Sequence, residues 1–174
     1  MKEHVILVDE KDQRVGEMEK LQAHREGQLH RAISVLIFNK HGELLLQKRA
    51  DHKYHSGGLW TNTCCSHPRP GESTQAAAKR RLLEEMGISL NLQFAYKFQY
   101  KANVDGLIEN ELDHVFLGET DQQPVINQNE ASDWKYASID AIKKDINHNA
   151  QNYTAWFKII MQNIDSFINR QTQL

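Results

Sequence analysis

The segment between Ser73 and Gly87 predicts an amphipathic helix whose two ends are both marked in the sequence. Ser73 is a residue type that caps helix N-termini, and Gly87 stands where a glycine commonly follows the last helical turn. Between these ends apolar side chains recur every four residues, at Ala78, Leu82 and Met86. A helix of this kind buries its apolar stripe and leaves its charged face to solvent or to a ligand.

The charged face of this helix has a distinctive spacing. It reads Arg80-Arg81-Leu82-Leu83-Glu84-Glu85-Met86-Gly87-Ile88, with Glu72 eight residues before Arg80. This spacing resembles the Nudix box, G-x5-E-x7-R-E-U-x-E-E-x-G-U, in which U is an aliphatic residue. The chain departs from the box at Ser66, where the box has glycine, and at Arg81, where it has glutamate. The alternative is a solvated helix face stabilised by an ion pair between Arg81 and Glu85. The positions that match are Glu72, Arg80, Leu82, Glu84, Glu85, Gly87 and Ile88.

The resemblance implies an α+β fold, a Nudix-type α/β/α sandwich with a mixed β-sheet in a single domain. The predicted elements agree, since strands and helices interleave without the strict alternation of a parallel sheet. Strands are predicted at His4–Val8, Ala32–Phe38, Glu43–Gln47, Phe94–Ala102, Leu107–Gly118 and Trp134–Tyr136. Helices are predicted over Ser73–Met86, after Ser138, and from Thr154 with an apolar stripe from Phe157 to Ile168. Residues 17–30 and 54–70 are predicted to be irregular.

Composition and charge exclude several classes of protein. The chain has 174 residues and a formal net charge of −2, so nothing draws it to nucleic acid or to an anionic membrane surface. The apolar run at residues 5–8 is too short for a signal peptide or a membrane span. The only cysteines, Cys64 and Cys65, are neighbours and close a disulfide poorly. We therefore expect a cytoplasmic protein with no membrane or nucleic-acid partner, and a monomer or weak dimer.

Arg81 is the informative departure from the box. The carboxylates of the box chelate divalent cations that activate water against a diphosphate bond. An arginine at this position removes one metal ligand and supplies a cation that can bind phosphate. The helix is therefore predicted to hold a diphosphate rather than to cleave it.

A second group of polar residues lies on the predicted strand Leu107–Gly118. Glu109 and Glu111 are two residues apart, so both carboxylates project from one face of the strand. Two carboxylates so close together are unfavourable unless a cation or a proton lies between them. The alternative is an edge strand with two solvated glutamates.

The ordered combination of motifs resembles type I isopentenyl diphosphate isomerase over nearly the whole chain. The likeness rests on Trp60-Thr61-Asn62 before Cys65-Ser66-His67-Pro68, on the helix with its arginine, and on Glu109-Asn110-Glu111. The chain has Ser56-Gly57-Gly58 where members of the family often have a proline before the glycine. This departure concerns the shape of a loop rather than the chemistry.

The resemblance implies two cation sites and a diphosphate site. One divalent metal, Mn²⁺, Zn²⁺ or Mg²⁺, is implied at a site formed by His24, His30, His67, Glu109 and Glu111. A Mg²⁺ bound with the diphosphate is implied at Glu85 and the backbone carbonyl of Cys65. The family's diphosphate-binding lysines and arginines match Lys20, Arg49, Lys53 and Arg81, each of which is otherwise an ordinary surface cation.

The catalytic residues implied by the resemblance are Cys65, Glu111, Tyr100 and Trp156. Cys65 and Glu111 form the acid/base pair, Tyr100 hydrogen-bonds the catalytic glutamate, and Trp156 faces a carbocation. Tyr100 and Trp156 have an alternative role as packed aromatic side chains. The remaining histidines of interest are expected to be ordinary polar groups: His41, His52, His55, His114 and His148.

The implied activity is the interconversion of isopentenyl and dimethylallyl diphosphate by proton transposition through a tertiary carbocation-like state, in isoprenoid biosynthesis. A Nudix hydrolase of a nucleoside or other diphosphate is the alternative, and a non-catalytic metal- or diphosphate-binding module is the third. In this interpretation residues 1–174 form one domain. Residues 1–30 contribute metal ligands and order on binding metal or substrate, residues 31–150 form the core, and residues 151–174 form the C-terminal helix.

Overall fold

The computed structural model describes residues 2–171, apart from the side chains of residues 168–171. Residues 172–174 of the predicted C-terminal helix and the side chain of Ile168 therefore lie outside the described residues. The strands are β1 (His4–Val8), β2 (Arg14–Glu19), β3 (His30–Phe38), β4 (Leu44–Arg49), β5 (Trp60–Thr61), β6 (Cys64–Ser66), β7 (Gln93–Val104), β8 (Leu107–Glu119) and β9 (Ala131–Ala137). The helices are α1 (Lys20–Glu26), α2 (Thr74–Met86), α3 (Ile139–Asn149), a 3-10 turn (Ala150–Asn152) and α4 (Ala155–Gln171).

The strands form a mixed sheet centred on β3, as predicted. Strand β3 pairs in parallel with β8, in a register that sets His30 opposite Glu111. Its other partners are antiparallel, and one of them is the short strand β6, where Ser34 lies opposite Cys65. Strand β7 continues the sheet as the antiparallel hairpin partner of β8. The parallel pairing therefore brings together residues that are about eighty positions apart in the sequence.

Helices pack on both faces of the sheet, which confirms the predicted α/β/α sandwich. Alternate residues of β3 point to opposite faces because the side chains of a strand alternate. Ile33, Val35 and Ile37 pack on the α2 side with Leu82 and Met86. The opposite face packs against α4 through a cluster that includes Leu36, Leu46, Val115, Phe157, Ile160 and Ile164. Cys64 belongs to the first cluster and Cys65 packs against the second.

Helix α2 has the ends that the sequence predicts. The Ser73 hydroxyl accepts a hydrogen bond from the backbone N–H of Ala76 at 3.1 Å. Gly87 adopts the left-handed conformation with φ of 66°, and a Cβ there would lie 2.8 Å from the carbonyl oxygen of Val125. Glycine is required at this position both by the backbone angle and by the close approach of residue 125. No described helix is long and apolar enough to cross a membrane.

The prediction that residues 17–30 are irregular is wrong. They contain the end of β2, helix α1 and the start of β3. Helix α1 is capped by Glu19, whose carboxylate accepts from the backbone N–H groups of Leu21 and Gln22 at 3.0 and 3.1 Å. Gly27 ends it with φ of 66°. A glutamate cap and a helix of seven residues give a weak sequence signal, because the preferred caps have shorter side chains.

The prediction that residues 54–70 form a loop is wrong at two short strands. Strand β5 pairs with β4, and β6 pairs with the central strand β3. Such short segments do not establish an alternating pattern of apolar and polar residues that a sequence analysis can detect. Their pairing nevertheless determines the side to which Cys65 points.

An ion cluster attaches the turn between β1 and β2 to the sheet. Asp12 accepts hydrogen bonds from Arg31 Nε at 2.7 Å, from His114 Nε2 at 2.9 Å and from Lys97 Nζ at 3.1 Å. Burial opposes ionisation of the carboxyl group, but these donors outweigh burial, with Arg31 contributing most, and lower the pKa of Asp12 to about 2. The charged form of Asp12 is therefore favoured by folding.

Replacement of Asp12 by asparagine is expected to lower the free energy of unfolding by about 1–2 kcal/mol at pH 7. The wild-type carboxylate titrates at a lower pH in the folded than in the unfolded chain, so its stabilisation is present above about pH 4 and declines as the pH falls toward 2. Urea unfolding at pH 7 and pH 3 measures the difference. The matched control is Asp121→Asn, which removes an exposed pair with Lys40 and should change the free energy of unfolding much less than Asp12→Asn does. Equal losses in the two variants contradict the prediction.

Candidate active site

A partly open cavity of about 550 Å³, including the space at its mouth, lies beside the part of strand β8 that carries acidic side chains. Most of the predicted site residues line it, and they come from six helices and strands and from two loops. His24, His30 and Tyr100 do not line the cavity but lie directly behind Glu111 and contact it. The lining residues that the sequence predicts are Lys20, Arg49, Lys53, Cys65, His67, Arg81, Glu85, Glu109, Glu111 and Trp156.

Three imidazoles surround one carboxylate oxygen. Oε1 of Glu111 lies 2.9 Å from Nε2 of His67, 3.4 Å from Nε2 of His30 and 3.7 Å from Nε2 of His24. All four side chains are buried, and each offers a ligand atom within 4.8 Å of the others. The alternative of solvated glutamates on an edge strand is therefore excluded, because β8 has neighbours on both sides and Glu111 is only 7% exposed.

Backbone hydrogen bonds fix the orientation of two of these rings. Nδ1 of His24 donates to the carbonyl of Lys20 at 2.7 Å, and Nδ1 of His30 donates to the carbonyl of Gln28 at 2.8 Å. In a neutral ring with its proton on Nδ1, the Nε2 lone pair faces Oε1 of Glu111, and within the described residues neither Nε2 atom has a hydrogen-bond partner. A backbone acceptor behind the ring is the usual support of a metal-ligating histidine. The donor set therefore fits a divalent cation.

The charge state of the cluster also suits a cation. Burial lowers the pKa of His67 to about 4, so the ring is neutral near pH 7 as a metal ligand must be. Burial opposes ionisation of Glu111, but its contacts with the three histidines outweigh burial and lower its pKa well below the ordinary value. Burial and then the negative charge of Glu111 raise the pKa of Glu109.

Tyr100 connects the two glutamates. Its hydroxyl donates to Oε2 of Glu111 at 2.6 Å and lies 3.2 Å from Oε2 of Glu109. The two strands place it there directly, since Tyr100 on β7 is the register partner of Glu111 on β8. Burial raises the pKa of Tyr100 well above its ordinary value, so the hydroxyl remains a donor. Tyr100 thereby restrains the orientation of the Glu111 carboxylate.

The thiol of Cys65 lies in the same cavity as the Glu111 carboxylate. Burial raises the pKa of Cys65 to about 12, so the sulfur carries its proton at neutral pH. The nearest cation is Arg49, whose Nη1 lies 3.8 Å from Sγ. The guanidinium of Arg49 also lies over the ring of Trp156, 5.4 Å from its centroid. Trp156 is held by a hydrogen bond from its Nε1 to the hydroxyl of Thr61 at 2.9 Å.

Basic side chains line the side of the cavity next to α2. Arg81 binds Glu85 at 2.6 Å and Glu130 at 3.2 Å, and Lys53 also contacts Glu130. Gln47 donates to the other oxygen of Glu85 at 2.9 Å. Arg81 also contacts Glu84 at 2.8 Å, so its guanidinium is held between three carboxylates.

Sequence reasoning missed two functional-looking groups. His55, expected to be an ordinary polar residue, is buried at the cavity wall with Nδ1 3.3 Å from Oε1 of Glu109, which corrects that expectation. No periodic pattern marks it, because it lies in an irregular loop.

Asp113 also lines the cavity, accepts a hydrogen bond from the Ser34 hydroxyl at 2.7 Å, and has a pKa raised by burial to about 8. The sequence could have indicated Asp113 as a site residue, because it continues the two-residue spacing of Glu109 and Glu111.

Comparisons with known proteins agree with this geometry. The model of the NUDIX domain family matches residues 28–157. The solved structure of DR0079 from Deinococcus radiodurans has the same fold, with a TM-score of 0.72 at 19% identity over 84% of this chain and 90% of that one. The MutT protein from Methanosarcina mazei Go1 gives 0.66 at 20% identity, over 79% and 94% of the two chains.

Much higher identity is found with proteins named as isomerases. "Isopentenyl-diphosphate Delta-isomerase" of Pectobacterium atrosepticum is 52% identical over 94% of this chain and 92% of its own length. "Isopentenyl-diphosphate Delta-isomerase 2" of Aromatoleum aromaticum is 48% identical over 95% and 88%. The chain therefore belongs to the NUDIX domain family and, within it, to the isopentenyl-diphosphate Delta-isomerases.

Proposed function

We propose that this chain interconverts isopentenyl and dimethylallyl diphosphate, with Cys65 and Glu111 as its acid/base pair. The observation that carries the proposal is the thiol of Cys65 in one cavity with a carboxylate restrained by Tyr100 and His67. The reaction adds a proton at one end of an allyl unit and removes another two carbons away. It therefore needs two proton-transferring groups on one substrate, and no net proton is gained or lost.

The protonation states of the pair suit exchange of roles. The Cys65 S–H, whose pKa burial raises, is a proton donor, whereas the ionised carboxylate of Glu111 is a proton acceptor. After one turnover each group is in the opposite state, and the reverse reaction or exchange with solvent restores it. Tyr100 donates to Oε2 of Glu111, which restrains the carboxylate in the position where it lines the cavity.

One divalent cation, Mn²⁺, Zn²⁺ or Mg²⁺, is proposed at His24, His30, His67, Glu109 and Glu111, and a Mg²⁺ at Glu85 and the Cys65 carbonyl together with the diphosphate. When bound, the cations neutralise carboxylate and phosphate charge. The chain's own part is to supply imidazoles oriented by backbone carbonyls and a carboxylate pair whose mutual repulsion a cation relieves.

The diphosphate is proposed to bind Lys20, Arg49, Lys53 and Arg81, all of which face the cavity. These cations offset the roughly three negative charges that a diphosphate monoester carries near neutral pH, and Lys53 and Arg81 exchange contacts with Glu130 and Glu85 for contacts with phosphate. The prenyl group then extends toward Trp156, whose ring face can stabilise positive charge by about 2 kcal/mol in a dry site. The absence of nucleic-acid and membrane partners, the cytoplasmic location and the monomeric or weakly dimeric state remain predictions.

Hydrolysis is the competing activity, and Arg81 is the observation against it. In this chain the position carries a guanidinium bound to Glu85 and Glu130 rather than a further carboxylate. A hydrolase needs those carboxylates to hold the cations that activate water.

The test is incubation of the purified protein with isopentenyl diphosphate and Mg²⁺ in D₂O. We expect deuterium in both the recovered substrate and the dimethylallyl product, without release of phosphate, as measured by NMR and a phosphate assay. Release of phosphate or diphosphate as the main reaction assigns the chain to the hydrolases and overturns the proposal. No reaction at all in protein that binds the diphosphate assigns it to the binding modules.

A further inference from the structure

The hydroxyl of Thr61 is the centre of a buried hydrogen-bond network that includes Asn62, Thr154 and Trp156. It accepts a hydrogen bond from Nε1 of Trp156 at 2.9 Å and from the hydroxyl of Thr154 at 3.1 Å. It donates its own proton to Oδ1 of Asn62 at 2.8 Å. Thr61, Asn62 and Thr154 are completely buried. With one proton given and two lone pairs used, the Thr61 hydroxyl has no bonding capacity left, so these three partners determine its orientation.

The direction of each hydrogen bond in this network follows from the chemistry of the groups. The amide nitrogen of Asn62 gives its two protons to the backbone carbonyls of Cys64 at 2.7 Å and Val35 at 3.2 Å. Oδ1 of Asn62 can only accept, so the O–H bond of Thr61 points at it. The indole N–H of Trp156 can only donate, and it meets a lone pair of Thr61. Asn62, bonded to strands β3 and β6, therefore sets the polarity of the contact with Trp156.

The same network attaches the start of helix α4 to strand β5. The backbone N–H of Thr154 donates to the carbonyl of Trp60 at 3.0 Å, and the side chain of Thr154 donates to Thr61. Trp156 follows in the first turn of α4. These contacts fix the backbone that carries the indole but leave the torsion between Cβ and the ring free, and that torsion is broad for tryptophan. The bond from Nε1 to Thr61 is therefore what fixes the rotation of the ring.

The rotation of the Trp156 ring decides how the ring interacts with positive charge in the cavity that it lines. An aromatic ring attracts a cation over its face, whereas its edge carries the opposite partial charge. The structure has a cation over this ring, since the guanidinium of Arg49 lies 5.4 Å from the ring centroid. A ring that turns its edge to the cavity loses this attraction although the residue is unchanged.

We propose that Thr61 is a positioning residue for the isomerisation, because its hydroxyl holds the Trp156 ring with its face toward the prenyl unit of the substrate. The inference rests on the proposed function. Thr61 is not among the described residues that line the cavity, so it acts through Trp156 and not on the substrate. The alternative is that the hydroxyl only stabilises the fold by satisfying buried polar groups. The two roles differ in whether turnover changes in a folded variant.

The first measurement is the kinetics of Thr61→Val, which removes the hydroxyl and keeps the branched shape. We expect kcat to fall about tenfold, which is less than the roughly 30-fold that a desolvated cation–π interaction supplies. The KM for isopentenyl diphosphate should change by less than about threefold, because the three partners of the Thr61 hydroxyl include none of the cations proposed to bind the diphosphate. Thr61→Ser restores the hydroxyl and should bring kcat to within about threefold of the wild-type value.

The second measurement follows the indole N–H of Trp156 by NMR of isotope-labelled protein, with the resonance assigned by its loss in Trp156→Phe. In Thr61→Val this resonance should move upfield and its proton should exchange with solvent at least about tenfold faster, whereas Thr61→Ser should leave both unchanged. Phenylalanine has no N–H to hold. In the Trp156→Phe background, Thr61→Val should therefore change kcat by less than about twofold.

Thr63 allows the same substitution at an equally buried hydroxyl that is not bonded to Trp156. It accepts from the backbone N–H of Ile37 at 2.9 Å and donates to the carbonyl of Leu45 at 2.6 Å. Thr63→Val should lower the unfolding temperature, because it leaves these groups without a partner, but it should keep kcat within about threefold of wild type.

Three results overturn the inference about Thr61: wild-type kcat in a folded Thr61→Val protein, the same loss of kcat in Thr63→Val, or an undiminished loss in the Trp156→Phe background. If Thr61→Val does not fold, Thr61→Cys takes its place in every comparison, since a thiol fits the space and is only a weak acceptor. Failure of the wild-type protein to isomerise the substrate, with the Trp156 resonance in its hydrogen-bonded position, refutes the proposed function and this inference with it.

Discussion

Replacement of Cys65 by serine is expected to lower turnover by about 10²–10⁴-fold, while the fold and the affinity for the diphosphate change little. The estimate is the usual contribution of one general acid or base. The two side chains have nearly the same shape, but a hydroxyl is close to water in acidity and is a far weaker proton donor than a thiol. Cys65 lies at the cavity wall, so the serine hydroxyl replaces the thiol without entering the packed core. Deuterium incorporation from D₂O and the kcat of isomerisation measure the loss.

The neighbouring cysteine provides a matched control. Cys64 is fully buried in the cluster that packs against α2, and it does not line the cavity. Cys64→Ser should therefore lower the free energy of unfolding by about 1–3 kcal/mol, since it buries a hydroxyl, but it should leave kcat within a few-fold of the wild-type value. Near-normal isomerisation by a folded Cys65→Ser protein removes this thiol from the mechanism.

The contrast between Cys64 and Cys65 shows where sequence reasoning about the fold stops. Long periodic segments were predicted well: α2 lies within one residue of its prediction, and β7 and β8 within two. Strand β6 has three residues and was predicted as loop, although its pairing with β3 is what turns Cys64 to the core and Cys65 to the cavity. The orientation of these two side chains depends on pairing with strand β3, which lies about thirty residues away in the sequence, so no local pattern predicts it.

Prediction of the candidate site from the sequence has the same limit, because long-range contacts bring its residues together. Family resemblance named most of the residues that meet at the cavity, yet periodicity alone justified only the pairing of Glu109 with Glu111 on one strand face. Contact between His30 and Glu111 follows from the parallel register of β3 with β8, a long-range pairing. His55 was missed because its burial depends on a loop that folds against Asp105 and Arg49, and neither contact can be predicted from the local sequence.

Replacement of Glu111 by glutamine is the substitution expected to have the widest effect, because this carboxylate has two proposed roles. Its Oε1 lies within 3.7 Å of three imidazole nitrogens, and its Oε2 accepts from Tyr100. An amide keeps the shape but carries no negative charge, so it neither offsets a divalent cation nor accepts a proton from carbon. We expect isomerisation to fall by about 10³-fold or more and metal affinity to fall by at least about tenfold. Calorimetric titration of the metal-stripped protein measures the second effect separately from activity.

Asp113→Asn is the control that distinguishes loss of a ligand from disturbance of the strand. Asp113 lies two residues further along β8 and is equally buried, but its carboxyl group bonds Ser34 and is not part of the imidazole cluster. The same carboxyl-to-amide change there should leave the metal affinity within about threefold, because no cation donor is lost. If Glu111→Gln retains full metal content and full activity, its double role is refuted. If both variants lose metal equally, the effect comes from strand β8 as a whole and not from the Glu111 carboxylate.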